Sequence, residues 1–287
     1  MLLQRTICVF LLYFALGAGA QELVLTYPNL NGNGRNNFGY RVLDLALKKH
    51  AQAYRIALSD FPVNDERARA MLDADEISVT DFGSGVDFER AYSAVYFPID
   101  QGLLGYRLAL IHSEKQAAFN RINNLHDLQA YVAGQGLGWS DNIILKNAGI
   151  PLRTAPALEN LFPMLEYGRF DWLPLGLNEV YGYAQQYRSK APHIVVDTHL
   201  ILIYPFARLF YVKKGNTALR DIILDGLQKA FADGSFQELL RNEPSIKNVL
   251  DQAGLKQRVQ IRVANPIASD EFKRMPASYF FKLDDRR

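Results

Sequence analysis

Apolar and polar positions fall in blocks along the chain, and the period of each block predicts its element. Leu23 to Tyr27 is a short apolar run closed by Pro28, and the stretch from Asn29 to Asn37 is dense in Asn and Gly, which reads as a strand and then a polar loop. From Tyr40 the apolar residues Val42, Leu43, Leu45, Ala46 and Leu47 describe a helix. Lys48 and Lys49 end it, where cations suit the helix dipole. Tyr54 to Leu58 predicts a second strand, Asn64 to Leu72 a helix capped by Asn64, and Ile77 to Phe82 a third strand. Such alternation predicts a parallel sheet covered by helices.

A second series follows. Leu103 to Ile111 is a nearly continuous apolar strand, Leu125 to Ala130 a short helix with Asn124 as its cap, and Tyr131 to Ala133 the start of another strand. The glycine loop from Gly134 to Ser140 leads into a helix from Asp141 that stops at Gly149. Ala157 to Tyr167 is helical despite Pro163, Phe170 to Leu173 is a strand, and Asn178 to Tyr187 a helix. Strands are expected at His193 to Val196 and Phe206 to Val212. Asn216 caps a helix with Leu219, Ile222, Ile223, Leu227 and Phe231 on one face, and Asp233-Gly234-Ser235 restarts a helix. Beyond Lys247 only Val259 to Val263 reads as a strand, and the aromatic tail is left without a place.

The first twenty residues carry one positive charge, an apolar run from Thr6 to Leu16, and the small residues Ala18-Gly19-Ala20. These are the marks of a cleavable export signal. The apolar run is shorter than the roughly 20 residues that cross a bilayer. Cleavage near Gln21 would remove the single cysteine, Cys8, and leave a chain with neither disulfide nor thiol. Lys and Arg number 32 against 30 Asp and Glu, a formal charge of +2 that falls to +1 without Arg5. The basic residues are scattered, so nucleic acid and anionic membrane are not expected as partners, and a small solute is.

Four segments, in order, resemble the periplasmic solute-binding family of polar amino-acid transporters. They are Gly39 to Ala46; Asp87-Phe88-Glu89-Arg90 with Tyr96 to Ile99 and the apolar Gly102 to Ile111; Gly168-Arg169-Phe170-Asp171; and Gly226 to Phe236. The resemblance spans about residues 23–241. It implies an α/β, two-lobed type II periplasmic-binding-protein-like fold, each lobe a mostly parallel sheet flanked by helices, closing over a solute. The implied organisation is a signal peptide at 1–20, lobe 1 at 21–108 plus 206–247, lobe 2 at 109–205, and a C-terminal extension at 248–287. The chain would cross between lobes near 106–112 and 203–212.

The same resemblance points to site residues. Arg90 aligns with the arginine that grips the ligand carboxylate, for which a guanidinium offers a matching fork of donors. Its alternative is an exposed pairing with Asp87 or Glu89. Ser84 is the one hydroxyl kept in the segment just before it. Trp139, Ser140 and Asp141 open the second-lobe helix, where a hydroxyl and free N–H groups favour an anion, although Ser140 is equally a simple cap. Asn178 and Glu179 lie where the family holds the ligand ammonium, and a carboxylate there also suits the helix dipole. Tyr27 and Phe97 are aromatic candidates for the cleft wall.

Enzyme signatures are missing. The run Gly134-Gln135-Gly136-Leu137-Gly138 lacks dinucleotide-binding phasing, there is no nucleophile elbow, and the five histidines show no metal-binding spacing. What the resemblance implies, together with the export signal, is a periplasmic, monomeric binding protein without a cofactor, which captures a carboxylate-bearing solute such as an amino acid for an ABC transporter permease or a receptor. A dehydratase or lyase on the same fold, using Glu179 or Asp141 as acid and base, is the alternative, and a sensory ligand-binding module a third reading.

Overall fold

The computed structural model describes residues 22–247 and 249–283. The segment read as an export signal, with Cys8, lies outside the described residues. Along the first part of the chain run β1 (Leu23–Leu30), α1 (Phe38–Lys48), β2 (Tyr54–Val63), α2 (Asp65–Asp73), β3 (Val79–Gly83), α3 (Val86–Ala91) and β4 (Ser93–Val95). Side-chain caps fix the helix starts. Asn37 accepts from the Tyr40 amide and Asn64 from the Arg67 amide, satisfying donors that a first helical turn leaves free.

The middle part contains β5 (Tyr106–His112), the single turns α4 (Gln116–Phe119) and α5 (Leu125–Leu128), then β6 (Ala133–Gly136), α6 (Asp141–Asn147), β7 (Leu152–Ala155) and α7 (Leu158–Glu166). After them come β8 (Trp172–Gly176), α8 (Val180–Gln186), β9 (Ile194–Val196) and β10 (Leu200–Ile203). The chain then returns through β11 (Arg208–Val212), α9 (Thr217–Ala232), α10 (Ser235–Asn242), the short α11 (Pro244–Lys247) and α12 (Val249–Gln252), β12 (Val259–Arg262) and α13 (Asp270–Lys273).

Two sheet systems result. In the first lobe β1 and β2 pair in parallel, the Ser78 amide donates to the Thr26 carbonyl at 2.9 Å to join β1 to the start of β3, and β11 lies antiparallel between β3 and β4. In the second lobe the order is β12-β10-β5-β8-β6-β7. Here β6 is parallel to β7 and β8, while β5 runs antiparallel to β8, β9 and β10. The parallel pairs β1–β2 and β6–β7 are each joined by a helix, as a parallel crossover requires, and the antiparallel pairs are made by the strands that enter and leave each lobe.

The two crossings touch. Gly102 adopts φ 75°, and Asp100 accepts from the Gly102 and Leu104 amides at 3.0 and 2.8 Å, so residues Leu103–Gly105 form a 3₁₀ turn where continuous strand was expected. On the return path the Tyr204 amide donates to the Gly105 carbonyl at 3.0 Å, and the Arg208 amide to Asp100 Oδ1 at 3.2 Å. A Cβ on Gly105 would lie 2.2 Å from the Tyr204 carbonyl oxygen, so the close approach of the crossings needs glycine there.

The C-terminal residues bind both lobes. β12 adds in parallel to β10, and the buried Arg258 just before it donates to the Asp197 and Leu200 carbonyls at 2.6 and 3.1 Å. The chain then reaches lobe 1, where the Val86 amide donates to the Ile267 carbonyl at 2.9 Å and Tyr279 packs 4.6 Å from the Phe97 ring. It then meets the crossings: the Phe281 amide donates to the Gln101 carbonyl, and Tyr106 Oη to the Phe281 carbonyl. Among the described residues no helix is long and apolar enough to cross a membrane.

Two outcomes test this hinge. Gly105→Ala should destabilise the protein by about 2–3 kcal/mol, the cost of forcing atoms into a filled space, with an unchanged dependence on urea concentration. Burial pushes the Asp100 carboxyl up to about 6 against three backbone N–H donors and Arg208. The folded state therefore holds this proton more tightly than the unfolded chain. Its contribution is full below the ordinary carboxylate range and is lost as pH rises through about 6. The stability of wild type relative to Asp100→Asn, measured by urea unfolding, should accordingly shrink between pH 4 and pH 7; growth over that interval would contradict the assignment.

Candidate functional site

Each crossing strand carries one arginine in an otherwise apolar run, and the two define the seam between the lobes. Arg107 on β5 has a side chain only 2% exposed. Its Nε donates to Tyr204 Oη at 2.8 Å and its Nη2 to Asp141 Oδ2 at 2.8 Å, and Tyr204 Oη donates to the same carboxylate oxygen at 2.9 Å. Gln135 Nε2 adds a longer contact to Asp141 at 3.4 Å. The guanidinium lies 5.6 and 5.5 Å from the Tyr204 and Phe206 ring centres. Asp141 is thus the anchor that permits a buried cation in β5.

Arg208 on β11 does the same for the first lobe. Its Nε donates to Asp81 Oδ2 at 2.7 Å and its Nη2 to the Asp81 carbonyl at 3.1 Å, with Asp65 Oδ1 3.8 Å away. Asp81 Oδ1 accepts from Tyr27 Oη, which is also 3.0 Å from the Asn37 cap. Gly39 makes room for that contact, since a Cβ there would sit 2.2 Å from Asp81 Oδ1.

Burial works against the charge on both arginines, but their carboxylate neighbours outweigh it and hold them protonated. Tyr27 and Tyr204 are pushed well up by burial and then by Asp81 and Asp141, so both remain neutral donors. The Asp65 carboxyl is raised by burial, with Arg208 pulling the other way.

Glu179 bridges the two arginines. Its Oε2 accepts from the Gly176 amide at 3.1 Å, which fixes it at the entrance of α8, and stands 3.9 Å from Arg107 Nη1; its Oε1 stands 3.7 Å from Arg208 Nη1. Both separations allow attraction but exceed hydrogen-bond length. Beside it Asn178 Oδ1 is buried with no partner, as is Gln135 Oε1. Ser140, at the start of α6, makes no side-chain cap; its Oγ would lie 3.2 Å from a Cβ on Gly83 of the first lobe. Residues of both lobes therefore meet around one cluster, with four carboxylates (Asp65, Asp81, Asp141, Glu179) around two guanidiniums. A third guanidinium, that of Arg69, stands 4.9 Å from the Phe88 ring centre.

This architecture has solved counterparts. An ancestral arginine-binding protein bound to arginine matches with a TM-score of 0.57 at 15% identity, over 77% of this chain and 98% of that one. An amino-acid ABC transporter substrate-binding protein from Streptococcus pneumoniae, bound to L-arginine, matches with a TM-score of 0.56 at 13% identity, over 78% and 94%. An ancestral amino-acid-binding protein described as a precursor of cyclohexadienyl dehydratase matches with a TM-score of 0.55 at 14% identity, over 75% and 92%. The chain has the two-lobed type II periplasmic-binding-protein fold. No family model and no curated protein matches it by sequence. At these identities the likeness carries the fold and nothing finer.

Within this type II fold the expected site residues separate. Ser140, Asp141, Asn178 and Glu179 come together at the seam. Tyr27 is fully buried beneath it as a support for Asp81. Ser84 is buried too, but its amide and hydroxyl pair with Ala207 backbone at 2.8 and 3.4 Å and serve the crossing. Trp139 folds back on Gly136, where its ring would lie 2.3 Å from a Cβ. Arg90 is not brought to the seam: it is 77% exposed on α3, 3.6 Å from Asp87, because the short helix turns this position outward. Phe97 is also elsewhere, buried edge-on against Phe236 at 4.9 Å in the first-lobe core.

Arg107, Arg208, Asp81, Asp65 and Gln135 were absent from the expected set. A signal for three of them was present, because Arg107, Arg208 and Asp81 each interrupt an apolar strand run, and a lone charge there has to find a partner inside.

Removing one member of a buried pair strands the other. Asp141→Ala should therefore cost about 3–5 kcal/mol in urea unfolding, whereas Arg90→Ala should stay within about 0.5 kcal/mol of wild type, as expected of an exposed residue. Equal effects would contradict the assignment of the two residues.

Proposed function

We propose that this chain is a solute-binding protein whose lobes close on a small solute carrying both an ammonium group and a carboxylate, an amino acid or a close analogue, for delivery to a transporter. The observation that carries the reading is the unfinished hydrogen bonding at the seam. Asn178 Oδ1 is buried without a donor, and Glu179 stands beyond hydrogen-bond reach of both arginines. An ammonium placed between Asn178 and Glu179 would supply donors to both. Buried acceptors left unpaired are costly, so such a ligand supplies the donor that Asn178 Oδ1 needs. Arg208 Nη1 and Ser140 Oγ are the donors for the carboxylate, in the role first expected of Arg90. The reading places the chain in the periplasm as a monomer, with an ABC transporter permease or a receptor as its protein partner.

The fold neighbour described as a precursor of cyclohexadienyl dehydratase supports a second use of the same cleft, with Glu179 as acid and base. Asp141 is unsuited to that part, since both Arg107 and Tyr204 hold the same oxygen.

A thermal-shift screen of amino acids, amines, organic acids and sugars tests the reading. A ligand present at about 100 times its Kd adds about 2.7 kcal/mol, a rise of several degrees in Tm for a chain of this size. Amino acids should give the rise. Glu179→Gln should lose it for ammonium-bearing compounds, while Arg90→Ala keeps it. Stabilisation by neutral sugars alone would contradict the proposal, and product formation that Glu179→Gln abolishes while binding persists would establish the enzyme instead.

A further inference from the structure

Among the described residues, His112, Glu166 and His193 each bring one ligand-capable atom within 4.8 Å of the others. None of them belongs to the cleft. His112 is the last residue of β5, five positions beyond Arg107 and so about 16 Å along the strand from it. Glu166 is the last residue of α7, and His193 stands just before β9. Backbone pairing holds two of the three elements in place: His112 is in register with Ile194 across the β5–β9 ladder, and the Ser113 amide donates to the His193 carbonyl at 2.9 Å.

The side chains converge as well. The two imidazole centres are 5.4 Å apart. His193 Nδ1 lies 2.5 Å from Glu166 Oε1, and the His193 amide donates to Glu166 Oε2 at 3.2 Å. We propose that these three residues form a binding site for a divalent transition-metal ion, with zinc as the reference ion. Two imidazoles and a carboxylate are a donor set of the hardness that zinc and nickel favour and that calcium and magnesium do not. Three protein ligands leave a fourth position for water.

The geometry needs little change. Zinc bonds of 2.0–2.2 Å in a tetrahedron set neighbouring ligand atoms about 3.4 Å apart, so no separation need close by more than about 1.4 Å, while His193 Nδ1 and Glu166 Oε1, now 2.5 Å apart, would open by about 0.9 Å. His193, 64% exposed, can supply that by side-chain rotation while β5 and β9 stay fixed. The ion would take the place of the present contact between His193 Nδ1 and Glu166 Oε1. Spacing along the sequence gave no hint of the site, because its ligands come from three separate elements.

The test is calorimetric titration of tag-free protein with zinc chloride and then nickel chloride, with no solute added. One ion per chain is expected, with His112→Ala and His193→Ala each weakening zinc by more than about tenfold and His126→Ala leaving it unchanged. Unfolding midpoints of the metal-free variants establish that they fold. Cobalt should give the visible absorption of a tetrahedral nitrogen and oxygen site in wild type, and His193→Ala should lose it. No heat at millimolar zinc, or binding that both histidine variants retain, would overturn the proposal.

Discussion

A guanidinium cannot be left unpaired in a protein interior, and this chain carries one into each strand that crosses between its lobes. The seam is organised around that constraint. Arg107 requires Asp141, which fixes the start of α6 against β5; Arg208 requires Asp81, which in turn positions Tyr27, Asn37 and the start of α1. Among the described residues Glu179 is the carboxylate that lies within 4 Å of both arginines. The crossings, the helix starts that face the cleft and the cluster that would meet a ligand are thus parts of one electrostatic arrangement.

Much of the fold was legible because its signals are local. Asn64, Asn124 and Asn216 cap the helices expected of them, each accepting from the amide three residues on. Periodicity located α1 and α9 to within a few residues. What could not be read depended on distant partners. The strand Leu200–Ile203 lies between two segments of similar apolar character, and only its pairing with β5 and β12 gives it a boundary. The C-terminal tail offered no period at all, since its residues are placed by what they touch: Phe280 over Gly102, Tyr279 against Phe97, Ile267 beside Gly85.

The candidate site shows the same division. Helix starts are positional features, and the starts of α6 and α8 bring Ser140, Asp141, Asn178 and Glu179 together at the seam. Arg90 and Phe97 lie away from the seam, where a turn of a short helix and the filling of a core decide which way a side chain points. The two arginines that took over were visible as charges inside apolar runs, but which carboxylates would meet them depended on the crossings. The C-terminal extension adds a constraint of its own: it is bonded to β10 on one lobe and to Val86 on the other, so any opening of the cleft must carry it along.

The central claim, that the lobes close through this charge cluster around an ammonium-bearing solute, is met most directly by a distance measurement. A chain begun at Gln21 has no cysteine, so Asp60→Cys on lobe 1 and Lys146→Cys on lobe 2 allow two spin labels to be placed without further change. Pulsed electron resonance would then report the spread of separations between the lobes, with and without added compounds. The account predicts that an amino acid narrows the distribution to a single short separation, and that organic acids lacking an ammonium group do not. A distribution that narrows with a neutral sugar and stays unchanged with every amino acid and amine would contradict it.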